Sequence, residues 1–200
     1  MAWHNKKYNE INLTLAEKVS KGLFTNAYIF NDYVVLQSNC IVKECLAIFN
    51  HSNNRHIPKI KRLYNDWYIM PKYTPLKASN KKAYTQYKFM LELLEKYYTR
   101  LYGTIFDKKY YNYDVCCAFA DELKKYDRSL GNAFQSILDT ACNGASFLCL
   151  DFAKGNFSVD GKGVLILRDI LADCNKTGYN RNKISRKKYK TIIEAIEDNM

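Results

Sequence analysis

Proline is scarce in this chain, with three residues in 200, and two of them, Pro71 and Pro75, fall close together. No stretch approaches the roughly 20 consecutive apolar residues that a membrane-spanning helix requires, so no membrane partner is expected. The first residues, Met-Ala-Trp-His-Asn-Lys-Lys, lack the apolar core of a signal peptide. Cysteine is present seven times but never as C-x-x-C, and Cys116 and Cys117 are merely adjacent. An odd set with that spacing argues against a disulfide scaffold or a zinc site and fits buried thiols in a reducing cytosol. Internal repeats, low-complexity linkers and helix-turn-helix patterns are also missing, which leaves charge alone to argue for direct nucleic-acid binding.

Charge is what the chain has in excess. Its formal net charge is +11, from 31 Lys and Arg against 20 Asp and Glu, with a dense run from Arg181 to Lys190. A solvated basic face satisfies that balance, and so does an anionic partner: nucleic acid, an acidic protein surface or nucleotide phosphates. The 17 tyrosines and many asparagines read as coding bias of an AT-rich genome, which weakens any argument for base stacking. A hydrophobic content of 48% supports a core, and 200 residues suit one domain or two small lobes sharing a cleft.

In chain order, residues 1–12 read as polar and irregular, and Leu13 to Val19 as a strand. The loop Ser20 to Ala27 holds one glycine, Gly22, which could cover phosphates with backbone N–H groups. Residues 27–30 and 33–37 are apolar runs separated by Asn31-Asp32, a tight hairpin. Ser38-Asn39 offers a helix cap, and Ile41, Cys45, Ile48 and Phe49 recur at helical spacing with Glu44 at the margin of their stripe. A strand is expected from His56 to Tyr64 and another over residues 67–70, joined by Asn65-Asp66; Pro71 and Pro75 then break pairing. Beyond them the chain turns helical. One helix carries the stripe Ala83, Tyr87, Met90, Leu91, Leu94, Tyr97, Tyr98 and Leu101, and another spans about Tyr113 to Tyr126. A third runs from Ser129 to Cys142 with Leu130, Phe134, Ile137, Leu138 and Ala141 inward, stopped by Asn143-Gly144. A basic helix is expected from about Ile184 to Glu197.

Chemistry concentrates between Leu148 and Asp169. Asp151 and Asn156 bracket a tight loop, residues 157–159 form a short strand, and residues 160–163 carry turn residues before the apolar strand 164–167. Folding that hairpin back returns Asp169 to the level of Asn156, so three oxygen-bearing side chains converge, as a Mg²⁺ held against polyphosphate requires. The same residue types also serve as ordinary turn and capping acids.

This spacing resembles the protein-kinase catalytic core, in which an Asp acts as base, the Asn of D-x-x-x-x-N holds metal, and a second metal Asp follows a β-hairpin. The chain also resembles the small early-infection serine/threonine kinases of short-tailed lytic bacteriophages. Phe24-Thr25-Asn26-Ala27-Tyr28 resembles their phosphate-loop segment Gly-x-Phe-Ser-x-Ala-Tyr. Ile57-Pro58 falls at the fourth strand, Tyr68-Ile69-Met70 at the fifth and Asp151-x-x-x-Gly155-Asn156 at the catalytic loop. The resemblance covers about residues 14–170 and implies an α+β, protein-kinase-like two-lobe fold. Residues 1–70 would form a five-stranded N-lobe with one helix, 71–76 a hinge, 77–183 a compact truncated helical lobe with the catalytic loop at 148–169, and 184–200 a basic tail.

It further implies ATP and Mg²⁺ as cofactors. Lys21, Gly22, Phe24 and Thr25 would lie at the phosphates, Met70 at the gatekeeper position and the backbone of residues 71–73, including Tyr73, at adenine. Asp151 would orient the acceptor hydroxyl, Lys154 would neutralise the transferred phosphoryl, and Asn156 and Asp169 would hold Mg²⁺. Glu44 would pair with the phosphate-binding lysine, but Gln37 stands at that lysine's position. Lys21 could reach across, as in the with-no-lysine kinases. Alternatively residues 40–43 are the strand and Lys43 the lysine, or the chain is a pseudokinase that binds partners without transferring phosphate. No Ala-Pro-Glu element follows Asp169, so an ordered activation loop is not expected. The implied setting is the host cytoplasm, with host proteins as substrates or targets, RNA polymerase or a defence enzyme among them. A small-molecule phosphotransferase of the same fold shares the Asp-to-Asn spacing.

Overall fold

The computed structural model describes residues 3–22, 25–50, 52–102, 113–142 and 148–173. Their architecture is mixed α+β, with a five-stranded antiparallel sheet and four α-helices among the described residues. Two compact units divide them: residues 3–48 and 59–72 form the first, and residues 49–58 and 73–173 the second.

The first unit is built on strands β1 (Lys18–Lys21), β2 (Thr25–Ile29), β3 (Tyr33–Ser38), β4 (Lys61–Tyr64) and β5 (Trp67–Pro71), in the order β1-β2-β3-β5-β4. Helix α1 (Ile41–Phe49) connects β3 to β4. Tyr28, Phe30, Val35, Trp67 and Ile69 form the sheet's core together with Ile11, Leu13 and Ala16 from the N-terminal segment. That segment, expected to be irregular, makes 3-10 turns at Trp3–Asn5 and Tyr8–Glu10. The strand expected from Leu13 to Val19 is likewise a 3-10 turn at Leu13–Leu15, and β1 begins only at Lys18. Asn12 explains the change: its Oδ1 accepts the Thr14 N–H at 3.0 Å, a local bond that competes with strand pairing.

Helix α1 starts where the sequence places it, because Ser38 Oγ accepts the Cys40 N–H at 3.2 Å. Lys43 is therefore a helical residue, which removes the option that residues 40–43 form the strand bearing the phosphate lysine. The strand expected from His56 to Tyr64 shrinks to its last four residues. Asn54 turns the chain before it: its Oδ1 accepts the His56 N–H at 3.0 Å and its carbonyl accepts the Ile57 N–H at 3.2 Å. Pro58, which has no N–H to give a ladder, follows directly. Asn65 takes the left-handed conformation (φ 35°) in the β4–β5 turn, a backbone state that asparagine tolerates better than most residues.

In the second unit, helices α2 (Lys81–Tyr102), α3 (Tyr113–Tyr126) and α4 (Arg128–Cys142) stand beside short strands. The strands β6 (Thr74–Pro75), β8 (Phe157–Val159) and β9 (Leu165–Leu167) make one sheet in the order β6-β8-β9. Strand β7 (Leu148–Leu150) pairs with β10 (Leu171–Asp173). Pro75 pairs at the sheet's edge, where its missing N–H costs nothing. Asp127 caps α4: its Oδ1 accepts the Leu130 N–H at 3.1 Å, and its Oδ2 accepts the Gln86 amide at 2.6 Å. All five residues expected on the inner stripe of α4 are buried. On α2 the stripe is rotated, with Ala83, Gln86, Tyr87, Met90 and Leu93 buried and Leu91 and Leu94 half-buried, because Gln86 turns inward to meet Asp127. The Asn143-Gly144 stop and the basic helix expected after Ile184 lie outside the described residues.

Candidate functional site

The stretch from Asp151 to Asp169 folds as a knot of main-chain bonds centred on Asn156. Asp151 Oδ1 accepts the Ala153 N–H at 3.2 Å, turning the chain, and the Asn156 N–H returns to the Ala153 carbonyl at 2.8 Å. A single 3-10 turn, Lys154–Asn156, then leads into β8. The hairpin closes over Asp160, whose Oδ1 accepts N–H groups from Lys162 and Val164, while Gly163 supplies the positive φ of 76° that the turn needs. Back at the foot of the hairpin, the Asn156 carbonyl accepts both the Arg168 N–H (3.0 Å) and the Asp169 N–H (3.1 Å). The Asn156 side chain donates to the Asp151 carbonyl at 3.1 Å, and the Asp151 N–H donates to the Ile170 carbonyl at 2.8 Å. Asp151, Asn156 and Asp169 are thereby brought together, as the hairpin reading of the sequence expects.

The loop is fastened to the helices by a residue the sequence reading passed over. Phe152, buried between exposed Asp151 and Ala153, meets Phe119, Phe134 and Phe157 at centroid distances of 5.7, 6.3 and 5.6 Å. Tyr87 adds a hydroxyl donated to the Phe152 carbonyl at 3.4 Å and a ring 4.8 Å from Phe157. A large apolar side chain inside an otherwise polar loop was the available signal. Lys154 is exposed, with its Nζ 5.4 Å from the Tyr84 ring centre on α2. Arg168 donates to the Gly155 carbonyl; its burial pushes the guanidinium down from its usual range, and the neighbouring Asp169 charge holds it up.

The donor chemistry fits Mg²⁺ in a limited sense. The Asn156 side chain donates its N–H to the Asp151 carbonyl, which leaves the amide oxygen as the donor a cation would take; the carboxylates of Asp151 and Asp169 are the motif's other oxygen donors. Among the described residues no group of three or more His, Cys, Asp and Glu can hold a metal alone. Two carboxylates and an amide suit Mg²⁺ only where phosphate oxygens and water complete its octahedron.

The residues proposed for nucleotide binding in the first unit have their own partners. The Gly22 N–H donates to the Thr25 carbonyl at 2.7 Å and closes the β1–β2 hairpin, so that amide is not available to a phosphate. Lys21 is exposed, and the Thr25 hydroxyl lies 2.7 Å from that of Ser38. Gln37, opposite Asn26 in the β2–β3 register, is buried and accepts from the Asn26 amide at 3.4 Å. Burial raises the Asp66 carboxyl above its usual range, and a hydrogen bond from the Gln37 side chain partly offsets this. Glu44 pairs with Arg62 across 3.3 Å, both side chains remaining over a third exposed, rather than with a lysine. Met70 is buried in β5 and Tyr73 half-buried just beyond it. Phe24 lies outside the described residues. No helix among the described residues is long and apolar enough to cross a membrane. No family model, curated protein or solved structure matches the chain.

Proposed function

We propose that the second unit carries a phosphotransfer centre of kinase type, in which Asp151 orients an acceptor hydroxyl and Asn156 and Asp169 hold the Mg²⁺ of bound ATP. One observation carries this reading: the Asn156 carbonyl binds the Asp169 amide while its side chain binds the Asp151 carbonyl, so the three residues of the motif are fixed to one another. Catalysis of this class is mostly positioning and charge neutralisation, and such a frame supplies the positioning before substrate arrives. On this reading the chain is a protein serine/threonine kinase acting on host proteins during phage infection. With Mg–ATP, the purified full chain gains stability by mass action, about 2.7 kcal/mol at 100 times the dissociation constant, and labels itself or host lysate. Asp151→Asn abolishes labelling and leaves the circular dichroism spectrum unchanged. A wild-type chain that neither binds Mg–ATP nor transfers phosphate sinks the reading.

A second reading, a kinase-like protein that grips a host machine without transferring phosphate, is favoured by the first unit's chemistry. Gln37 has no charge and is committed to Asn26 and Asp66, while Glu44 is engaged by Arg62. A neutral amide cannot supply the point charge of a phosphate-binding lysine. Under this reading, charge reversal at Arg186, Lys187 and Lys188 weakens partner capture and Asp151→Asn is harmless; the converse pattern favours catalysis.

A further inference from the structure

Tyr84, on the second turn of α2, is flanked by two ammonium groups, with Lys154 Nζ 5.4 Å and Lys88 Nζ 5.8 Å from its ring centre. Lys88 is one turn along the same helix and Lys154 belongs to the loop between Asp151 and Asn156. Lys81 shares this helix face by its spacing of three and seven residues from Tyr84 and Lys88. All three lysines are exposed, and among the described residues none of them enters an ion pair. The first turn of α2 contains no acidic residue. Lys82, which points the other way round the helix, lines a pocket with Asp127 and Gln86 and is not part of this face.

Holding cations of one sign around one ring raises their mutual repulsion, and cation–π attraction of roughly 0.5–1 kcal/mol at an exposed site offsets only some of it. Tyr84 is also held from behind. Its ring lies 6.0 Å from that of Tyr87, which in turn contacts Phe157 and the Phe152 carbonyl. The ring is therefore a fixed mount beside the Asp151 loop, and the charges it gathers have no protein counter-ion among the described residues.

We infer that Lys88 and Lys154, gathered on Tyr84, form with Lys81 of the same helix face an acceptor-docking surface that selects an acidic polypeptide segment beside its target hydroxyl. This rests on the acceptor role proposed for Asp151, but the binding it claims can be measured without phosphate transfer. An acidic peptide fits better than nucleic acid because the face is short and built of point-charge lysines and one tyrosine. It contains no arginine fork for phosphate and no run of exposed aromatics to stack bases.

The test is fluorescence anisotropy with the full chain and three probes: a serine-containing peptide rich in Asp and Glu, its Asn and Gln counterpart, and a single-stranded oligonucleotide of equal charge. The acidic peptide is expected to bind best, with affinity falling as salt is raised. K81S/K88S is expected to weaken it on the order of tenfold, since exposed charge pairs each contribute modestly. Tyr84→Leu is expected to weaken it several-fold, because Lys154 and Lys88 lose their mount. Equal affinity for acidic and neutral peptides, affinity unmoved by K81S/K88S in a protein of wild-type melting temperature, or tighter binding of the oligonucleotide overturns the inference. Peptide binding lost in K81S/K88S from a chain that transfers no phosphate keeps the docking face and removes only the kinase reading.

Discussion

Gly131 offers a direct test of how the unit carrying the site is held together. It lies in α4, buried against α3, and a Cβ added there would sit 2.5 Å from the main-chain nitrogen of Lys124 and 2.7 Å from its Cα. Two effects of Gly131→Ala oppose each other. Within an isolated helix, alanine is favoured over glycine by about 1 kcal/mol. Against that, the contact is with backbone, so the clash is relieved only by parting the two helices. Overpacking of this kind costs typically 1–3 kcal/mol, and here it also loosens the Phe119–Phe134 contact at 4.9 Å, on which Phe152 leans. The clash lies well inside any observed Cβ contact, so packing is expected to win. We predict a net loss of about 1 kcal/mol, a drop in Tm of roughly 2–4 °C for a chain of this size. Urea denaturation followed by far-ultraviolet circular dichroism should show a lower midpoint at unchanged slope. Asn132→Ala, at the exposed neighbouring position, serves as the control and should be neutral or slightly stabilising. If Gly131→Ala matches or exceeds wild type, helix propensity outweighs packing and the close approach of α3 and α4 is refuted.

Phe152→Ala removes a buried ring that touches three others and should cost about 3–5 kcal/mol by denaturant titration; a loss under 1 kcal/mol would mean the loop is not anchored through it. His56 is buried with Nδ1 2.7 Å from the Leu165 carbonyl and Nε2 without a partner, and burial lowers its pKa from 6.5, with the Leu165 bond and Asp127 opposing the shift. The unfolded chain then takes up a proton that the folded one refuses, so stability falls as pH drops below about 6.5. Between pH 7.5 and 5.5, His56→Phe should flatten this slope; an unchanged slope would place the titrating group elsewhere, since the lowered Asp127 carboxyl acts only in a more acidic window. Gln37→Leu strips buried Asn26 and Asp66 of a partner and should cost about 1–3 kcal/mol, whereas an amide with no structural role would make the exchange neutral.

Local signals in the sequence located most of the elements. The Asn31-Asp32 and Asn65-Asp66 turns, the Ser38 cap and the 3.6-residue period of α4 are each contained within a few residues. The readings that failed depended on distant partners or on a side chain competing with the backbone. Asn12 and Asn54 bend chain that otherwise has strand composition, and a propensity reading does not weigh one amide against a ladder. The β7–β10 pair joins Leu148–Leu150 to Leu171–Asp173, a non-local pairing of three-residue strands with no period of its own. Gln86 broke the apolar pattern of α2 because its counterpart, Asp127, lies 41 residues away.

The candidate site divides along the same line. Asp151, Asn156 and Asp169 were legible because a tight loop and a hairpin fix their spacing with local bonds alone, and the turn residues Asp160 and Gly163 announce that hairpin. The residues expected at a nucleotide rest on likeness to a family, and there the local chemistry differs from the expectation. A lysine at position 37 would need Asp66 or Glu44 as its counter-charge, yet this chain gives Asp66 to an amide and Glu44 to Arg62. Those pairings are mutually consistent: with no buried cation at position 37, neither carboxylate is left without a partner, and the first unit folds without the charge that phosphate binding would require. The chemistry of Asp151 and its neighbours therefore has to be tested separately from nucleotide affinity, because the second unit assembles its three oxygen-bearing residues by bonds that owe nothing to Gln37.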